Sequence, residues 1–301
     1  MSNSISEPLF SLCGLAFPDT SIEHDIAIAR AEGIRGLGID ERKMLGAGSL
    51  DAVKLQLAEA EIIPTICVPA VMTFLPGPFT EGPEDPRSRS AAMCEGVRRL
   101  AELRPEAIFC LTGPTGELDA QEARKFALEA MREVAACARE CDVRLAFEPF
   151  RFSDPNDWSL VFGIEDGIAF LDEAEVPEVG ICYDVWHLWD STPDIVQLTS
   201  EIAPRVSGVQ ISDYRSPTRS WQDRVVPGDG IIPLADLFRA LREGGFDGWY
   251  DLEIFSDDGR FGDKYEDSVW NLPPQEVARL GKAGFEAAWA ASFAPKGEGN
   301  V

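Results

Sequence analysis

Short apolar runs and longer amphipathic stretches alternate along this chain, and the alternation recurs eight times. The apolar runs fall at residues 9–16, 35–40, 62–70, 106–112, 143–149, 179–185, 206–212 and 248–255, and each has the length and β-prone make-up of a strand. Residues 22–33, 49–60, 88–104, 119–141, 164–175, 193–204, 233–244 and 274–293 place apolar side chains at helical spacing. IIPTICVPA and VRLAFEPF are nearly unbroken apolar runs. That is the pattern of a parallel sheet with helices over one face and packed side chains filling the other. Ser21 is placed to cap the first helix, Glu32-Gly33 to close it, and Pro193 suits the first turn of the sixth.

Eight strand–helix pairs predict an α/β fold, a single (β/α)8 TIM barrel over about 9–293 of one domain, 1–301. The tail 294–301, APKGEGNV, has no apolar pattern and is expected to fray. A doubly wound open sheet would share the alternation, but its phosphate loop is missing: the first turn reads GLAFPDTS, without GxGxxG.

Charge removes whole classes of partner. With 52 acidic against 27 basic residues the formal charge is −25, so the mean field repels nucleic acid and anionic lipid surfaces. No run approaches the roughly 20 apolar residues of a membrane span, and MSNSISEPLFSLCG lacks the pattern of a leader, so a cytoplasmic protein is expected. Seven cysteines, without a CxxC pair and mostly inside apolar segments, read as reduced core thiols.

In a barrel of this kind chemistry is done where strands end and βα loops begin. Four successive strand candidates end in ligand-type side chains: Glu148 in LAFEPF, Asp184 in GICYDVWH, Gln210 in GVQISDY and Glu253 in YDLEIF. Their spacings of 36, 26 and 43 residues are each about one strand, one helix and two loops, so all four recur at an equivalent depth. A lone strand-end acid commonly caps a helix or pairs with an arginine. Three such acids, with an amide, at the ends of four consecutive apolar strands would repel one another unless protonated or bound to a cation. The all-oxygen set Glu148, Asp184, Gln210 and Glu253 suits one divalent ion, Mn2+ or Mg2+, with Co2+ or Zn2+ as substitutes. Open positions on such an ion fit an α-hydroxy-carbonyl, which argues for a small sugar-like substrate. Trp158, Trp186, Trp189, Trp221 and Phe255 fall near the expected mouth, where sugar rings stack on aromatic faces; Trp186 is the leading stacking candidate, although packing explains a tryptophan equally well.

The chain resembles the xylose-isomerase-like TIM barrels of the sugar phosphate isomerase/epimerase family. That family includes ketose 3-epimerases, hydroxypyruvate isomerase, and inosose and 3-dehydroshikimate dehydratases. The resemblance runs from about residue 9 to 290 and is carried by Glu148, the DxxH of Asp184 and His187, QISD from Gln210 to Asp213, RVVPGDG from Arg224 to Gly230, and Glu253. It implies that the four strand-end residues bind the metal and that Glu148 and Glu253 also move protons. Chemically that is sensible, because a polarised carbonyl acidifies its α-C–H and two facing carboxylates can remove and return the proton through an enediolate. The resemblance further implies that His187 donates to a substrate oxygen, that Arg224 contacts substrate, and that Asp213 supports a ligand from behind. On the residues alone, His187 also fits a core imidazole and Arg224 a loop salt bridge; His24 is read as a surface residue. Many members carry His where this chain has Gln210, and PFRFSDPNDW departs from the epimerase pattern, where Arg151 is a candidate for a substrate contact.

The leading expectation is a metal-dependent isomerase or epimerase of a small keto sugar or hydroxy-keto acid, with a dehydratase on the same barrel as the alternative. A DNA-repair endonuclease of this barrel would need a histidine-rich site and a basic face, against two histidines and −25 here. A non-catalytic sugar-binding barrel is the remaining alternative. The resemblance is compatible with a homo-oligomer and leaves its order open.

Overall fold

The structure is a computed structural model that describes residues 8–77, 80–151 and 158–294. Its strands are β1 (Phe10–Leu12), β2 (Gly36–Leu37), β3 (Ile63–Pro64), β4 (Ile66–Cys67), β5 (Ala107–Cys110), β6 (Leu145–Phe147), β7 (Gly180–Asp184), β8 (Val206–Ile211), β9 (Asp213–Tyr214), β10 (Arg224–Val225) and β11 (Tyr250–Leu252). Nine of them form a parallel sheet in the order β3-β2-β1-β11-β8-β7-β6-β5-β4.

The two ends of that order are one stave. Only Thr65 separates β3, which pairs with β2, from β4, which pairs with β5. Its N–H donates to Leu37 O at 3.0 Å, while its carbonyl accepts from Ala107 N–H at 3.3 Å. The sheet is therefore closed, with eight staves, and the expected TIM barrel is present. Eight outer helices, Ile22–Ala31, Leu50–Glu59, Pro86–Ala101, Ala120–Glu140, Gly163–Ala174, Ile195–Ile202, Leu234–Glu243 and Pro274–Ala291, follow the periodicity of the sequence. Ser21 Oγ accepts from His24 N–H as the expected cap, and His24 itself is exposed.

Some local expectations need correcting. Pro193 lies outside its helix, which begins at Ile195 after an N-cap, Asp194, that makes no side-chain cap bond. Short helices at Glu41–Gly46 and Val185–Leu188, and the antiparallel β9–β10 pair, are absent from the periodicity reading. Elements of two to six residues are too short to express a period, and their placement rests on caps and tertiary contacts. The tail expected to fray lies, after residue 294, outside the described residues.

Two apolar layers hold the barrel. The larger fills the space between sheet and helices; the smaller, made by Ile66, Val68, Ala107, Phe109, Leu111, Ala146 and Cys182, fills the interior. Gly208 belongs to the interior for a steric reason, since a Cβ there would meet Ile66 Cδ1 at 2.5 Å. The interior is polar at the first and eighth staves, where buried Asp251 accepts hydrogen bonds from Ser11 Oγ, from Thr65 Oγ1 at 2.9 Å and from Ile66 N–H at 3.3 Å. Burial pushes the Asp251 carboxyl up to about 7. The seven cysteines are free thiols, six of them buried, as the sequence suggested. No helix among the described residues is long and apolar enough to cross a membrane.

Candidate functional site

Ladder bonds carry Glu148 and Glu253 just beyond their strands. Glu148 N–H donates to Cys110 O and Glu253 N–H to Ile211 O, each at 2.9 Å. Asp184 ends β7 and caps the short helix that follows, its Oδ1 accepting from Trp186 N–H at 2.8 Å. Gln210 lies one residue before the end of β8. All four residues are at most 4% exposed.

The structure brings these residues together around Arg224, from β10. Its Nη1 donates to Asp184 Oδ2 at 2.9 Å and to Glu253 Oε2 at 3.0 Å, while Nη2 lies 3.1 Å from His187 Nε2. The Trp186 and Phe255 rings flank the guanidinium at 4.8 and 5.1 Å. Glu148, Asp184 and His187 each offer a ligand atom, all within 4.8 Å of one another. A buried Glu/Asp/His cluster of this kind can hold a metal ion.

Gln210 is turned otherwise than its expected role requires. Its Nε2 donates to Glu253 Oε1 at 2.7 Å, and its Oε1 accepts from the Cys182 thiol at 3.2 Å. The oxygen that would act as ligand thus faces a thiol. Rotating the amide would present that oxygen to Glu253, an arrangement that a shared cation makes favourable.

Electrostatics follow from burial and crowding. Burial holds the Glu148 carboxyl well above its usual range, and Glu253 and Asp184 push the same way. Burial also raises Asp184, against the pull of Arg224, and lifts Glu253 to about 7 against the same pull. Burial lowers His187 well below the usual imidazole value, aided by Arg224 and Arg151, so the ring is neutral. A neutral imidazole has one accepting nitrogen. Yet Arg151 N–H approaches Nδ1 at 3.3 Å while Arg224 approaches Nε2, so one of the two contacts sets donor against donor.

Arg151, Trp186 and His187 line a cavity of about 930 Å³ that also reaches Glu148, Glu253 and Arg224. Arg151 is committed at the rim to Asp190, with Nη2 at 2.6 Å from Oδ2, and lies over the Tyr214 ring. The hydrogen bonds of Asp213 go to the backbone: it receives N–H bonds from Gly228 and Ile232, each at 2.9 Å, and so ties down the loop after β10. Trp189 packs on Tyr214 and does not line the cavity, whereas Trp270 and Phe261, which the sequence reading missed, do. Both belong to the long connection after β11, whose approach to the mouth has no local signature. Cys13, 3.7 Å from Glu253 Oε1, and Cys182 also lie directly against the cluster. Residues 152–157 of the PFRFSDPNDW segment lie outside the described residues.

A closed barrel with buried acids at the carboxyl ends of its staves defines the molecule as a TIM barrel with its candidate site at that end. The chain belongs to the xylose isomerase-like TIM barrel family, whose family model matches residues 26–285. It is 26% identical over 216 residues to D-psicose 3-epimerase of Enterocloster bolteae, covering 67% of this chain and 68% of that one. It is 23% identical over 158 residues to hydroxypyruvate isomerase of Escherichia coli K12, covering 52% of this chain and 58% of the relative. The solved structure of protein SMc04130 from Sinorhizobium meliloti 1021 superposes with a TM-score of 0.78 at 22% identity, over 93% of this chain and 98% of that one, a likeness of fold alone. The resemblance read from the sequence thus holds at the level of the family, and the named relatives are enzymes that act on small sugar-like compounds.

Proposed function

We propose that this chain is an enzyme that binds one divalent metal ion through Glu148, Asp184, Gln210 and Glu253 and isomerises or epimerises a small carbonyl sugar or hydroxy-keto acid. The observation that carries this reading is Glu148 Oε1, a fully buried carboxylate oxygen without a hydrogen-bond partner, beside two further buried carboxylates. An unsatisfied buried acceptor of this sort costs on the order of 1–3 kcal/mol, and a cation is the occupant that the charge of its neighbours selects. Three carboxylates and an amide oxygen favour Mn2+ or Mg2+, and His187 close to Glu148 and Asp184 leaves room for Co2+ or Zn2+.

When bound, the ion would polarise the substrate carbonyl and acidify the adjacent C–H. Whichever of the facing Glu148 and Glu253 is ionised takes that proton, and the other, protonated, returns one. An acceptor oxygen of the substrate placed between His187 and Arg224 satisfies both donors and removes their mutual conflict. Trp186 stacks on the Arg224 guanidinium and lines the pocket.

Incubating the Mn2+-loaded protein in D2O with keto sugars, inososes and short hydroxy-keto acids, with NMR as readout, tests the proposal. Deuterium is expected at the carbon beside the carbonyl, without loss of water, and exchange should stop with a chelator. Elimination of water would identify a dehydratase, and absence of exchange with every class would overturn the reading.

A further inference from the structure

Above the acidic floor the cavity changes character. Trp221 packs at 5.1 Å from Trp158, 5.5 Å from Phe255 and 5.3 Å from Phe261, and Trp270 continues the row at 6.0 Å from Phe255 and 6.1 Å from Phe261. These five rings are half-buried, so each packs one part of its surface and presents another to the cavity. Leu15, Met72, Phe109 and Leu111 add further apolar lining to the cavity. The volume, about 930 Å³, is at the upper end of the roughly 300–1,000 Å³ pockets that enclose drug-sized ligands, far more than a three-carbon keto acid fills.

The cations that line it are all neutralised. Arg42 pairs with Asp40 at 2.9 Å, Lys43 with Asp25 at 2.7 Å, Arg151 with Asp190 at 2.6 Å, and Arg224 with Asp184 and Glu253. Arg219 is shared between Asp223 and Asp267, both at 2.8 Å. Residues 78–79 and 152–157, outside the described residues, contain no lysine or arginine. A phosphate or carboxylate at the end of the substrate away from the floor would find no unpaired cation among the described residues.

Resting on the function proposed above, we infer that the substrate is an uncharged keto sugar in ring form that carries a second ring, a compound of glycoside size. The sugar end meets Glu148, Glu253, His187 and Arg224. The second ring lies on the aromatic row of Trp221 and Trp270, where ring faces attract both aromatic groups and the C–H faces of sugars.

The test is binding to the Mn2+-loaded protein, read by titration calorimetry, of phenyl β-D-glucoside, D-glucose and D-glucose 6-phosphate. Phenyl glucoside is expected to bind at least tenfold more tightly than glucose, and the phosphate ester more weakly than glucose. Trp221→Leu keeps apolar bulk but removes the ring face; it should erase the advantage of phenyl glucoside while leaving glucose unchanged, and Trp270→Leu should do so in part. The inference is overturned if glucose 6-phosphate binds as well as glucose, if no probe binds, or if the variants weaken both sugars alike. Because binding is read without turnover, its failure is separable from that of the proposed reaction. Deuterium exchange into a phosphorylated ketose would sink the substrate class alone, whereas the expected affinities without exchange would sink the reaction alone.

Discussion

Arg224 donates from a single nitrogen to Asp184 at 2.9 Å and to Glu253 at 3.0 Å, and so stands as a resident positive charge inside the acidic cluster. Breaking a buried pair by removing one partner costs about 3–5 kcal/mol, because the remaining charge stays desolvated. Arg224→Met is therefore expected to lower the stability of the chelator-treated protein by about that amount at pH 7.5, and by less at pH 5, where the raised carboxyls are protonated. Added Mn2+ should raise the Tm of the variant more than that of the wild type, as thermal unfolding with and without metal will show. An unchanged Tm without metal would deny Arg224 the role of counter-ion.

Glu148→Gln and Glu253→Gln keep shape and remove the capacity to move a proton. Each is expected to reduce kcat by about 10²–10⁴-fold while near-UV circular dichroism stays that of the wild type. Turnover at the wild-type rate in either variant would refute the proton-transfer role.

Asp251 sets a pH dependence of stability. Its carboxyl is raised from 3.8 to about 7 by burial, so between those values the folded state holds more protons than the unfolded chain. Stability then declines as pH rises through that window, and the cost is fully present above it. Asp251→Asn retains an acceptor for Thr65 and Ile66 and cannot ionise. In the chelated protein it is expected to melt above the wild type at pH 8, with the difference shrinking toward pH 4; a difference that does not vary with pH would show that Asp251 does not titrate as described.

Arg89, fully buried in the helix Pro86–Ala101, donates to the carbonyls of Thr73, Glu81 and Pro83 at 2.8–2.9 Å and holds the loop beside the mouth. Arg89→Met leaves those carbonyls without their donor. A loss of about 3 kcal/mol is expected, with limited proteolysis cutting first between residues 73 and 85. Cleavage elsewhere in the variant, at the wild-type rate in this loop, would count against the clamp.

By itself the sequence determined the eight-fold alternation of strand and helix, and with it the barrel and the end at which Glu148, Asp184, Gln210 and Glu253 occur. These properties were legible because hydrophobic period and strand-end position are local, written within 10–20 residues of each element. Tertiary structure alone decided that Thr65 splits one stave between two partners, that Arg224 reaches back to Asp184, that Gln210 turns its oxygen to Cys182, and that Trp270 and Phe261 arrive at the mouth. Each of these depends on residues brought together across the closed barrel, such as Asp251 and Ser11, 240 positions apart. No local pattern encodes such a meeting, because the partners become neighbours only when the last stave pairs with the first.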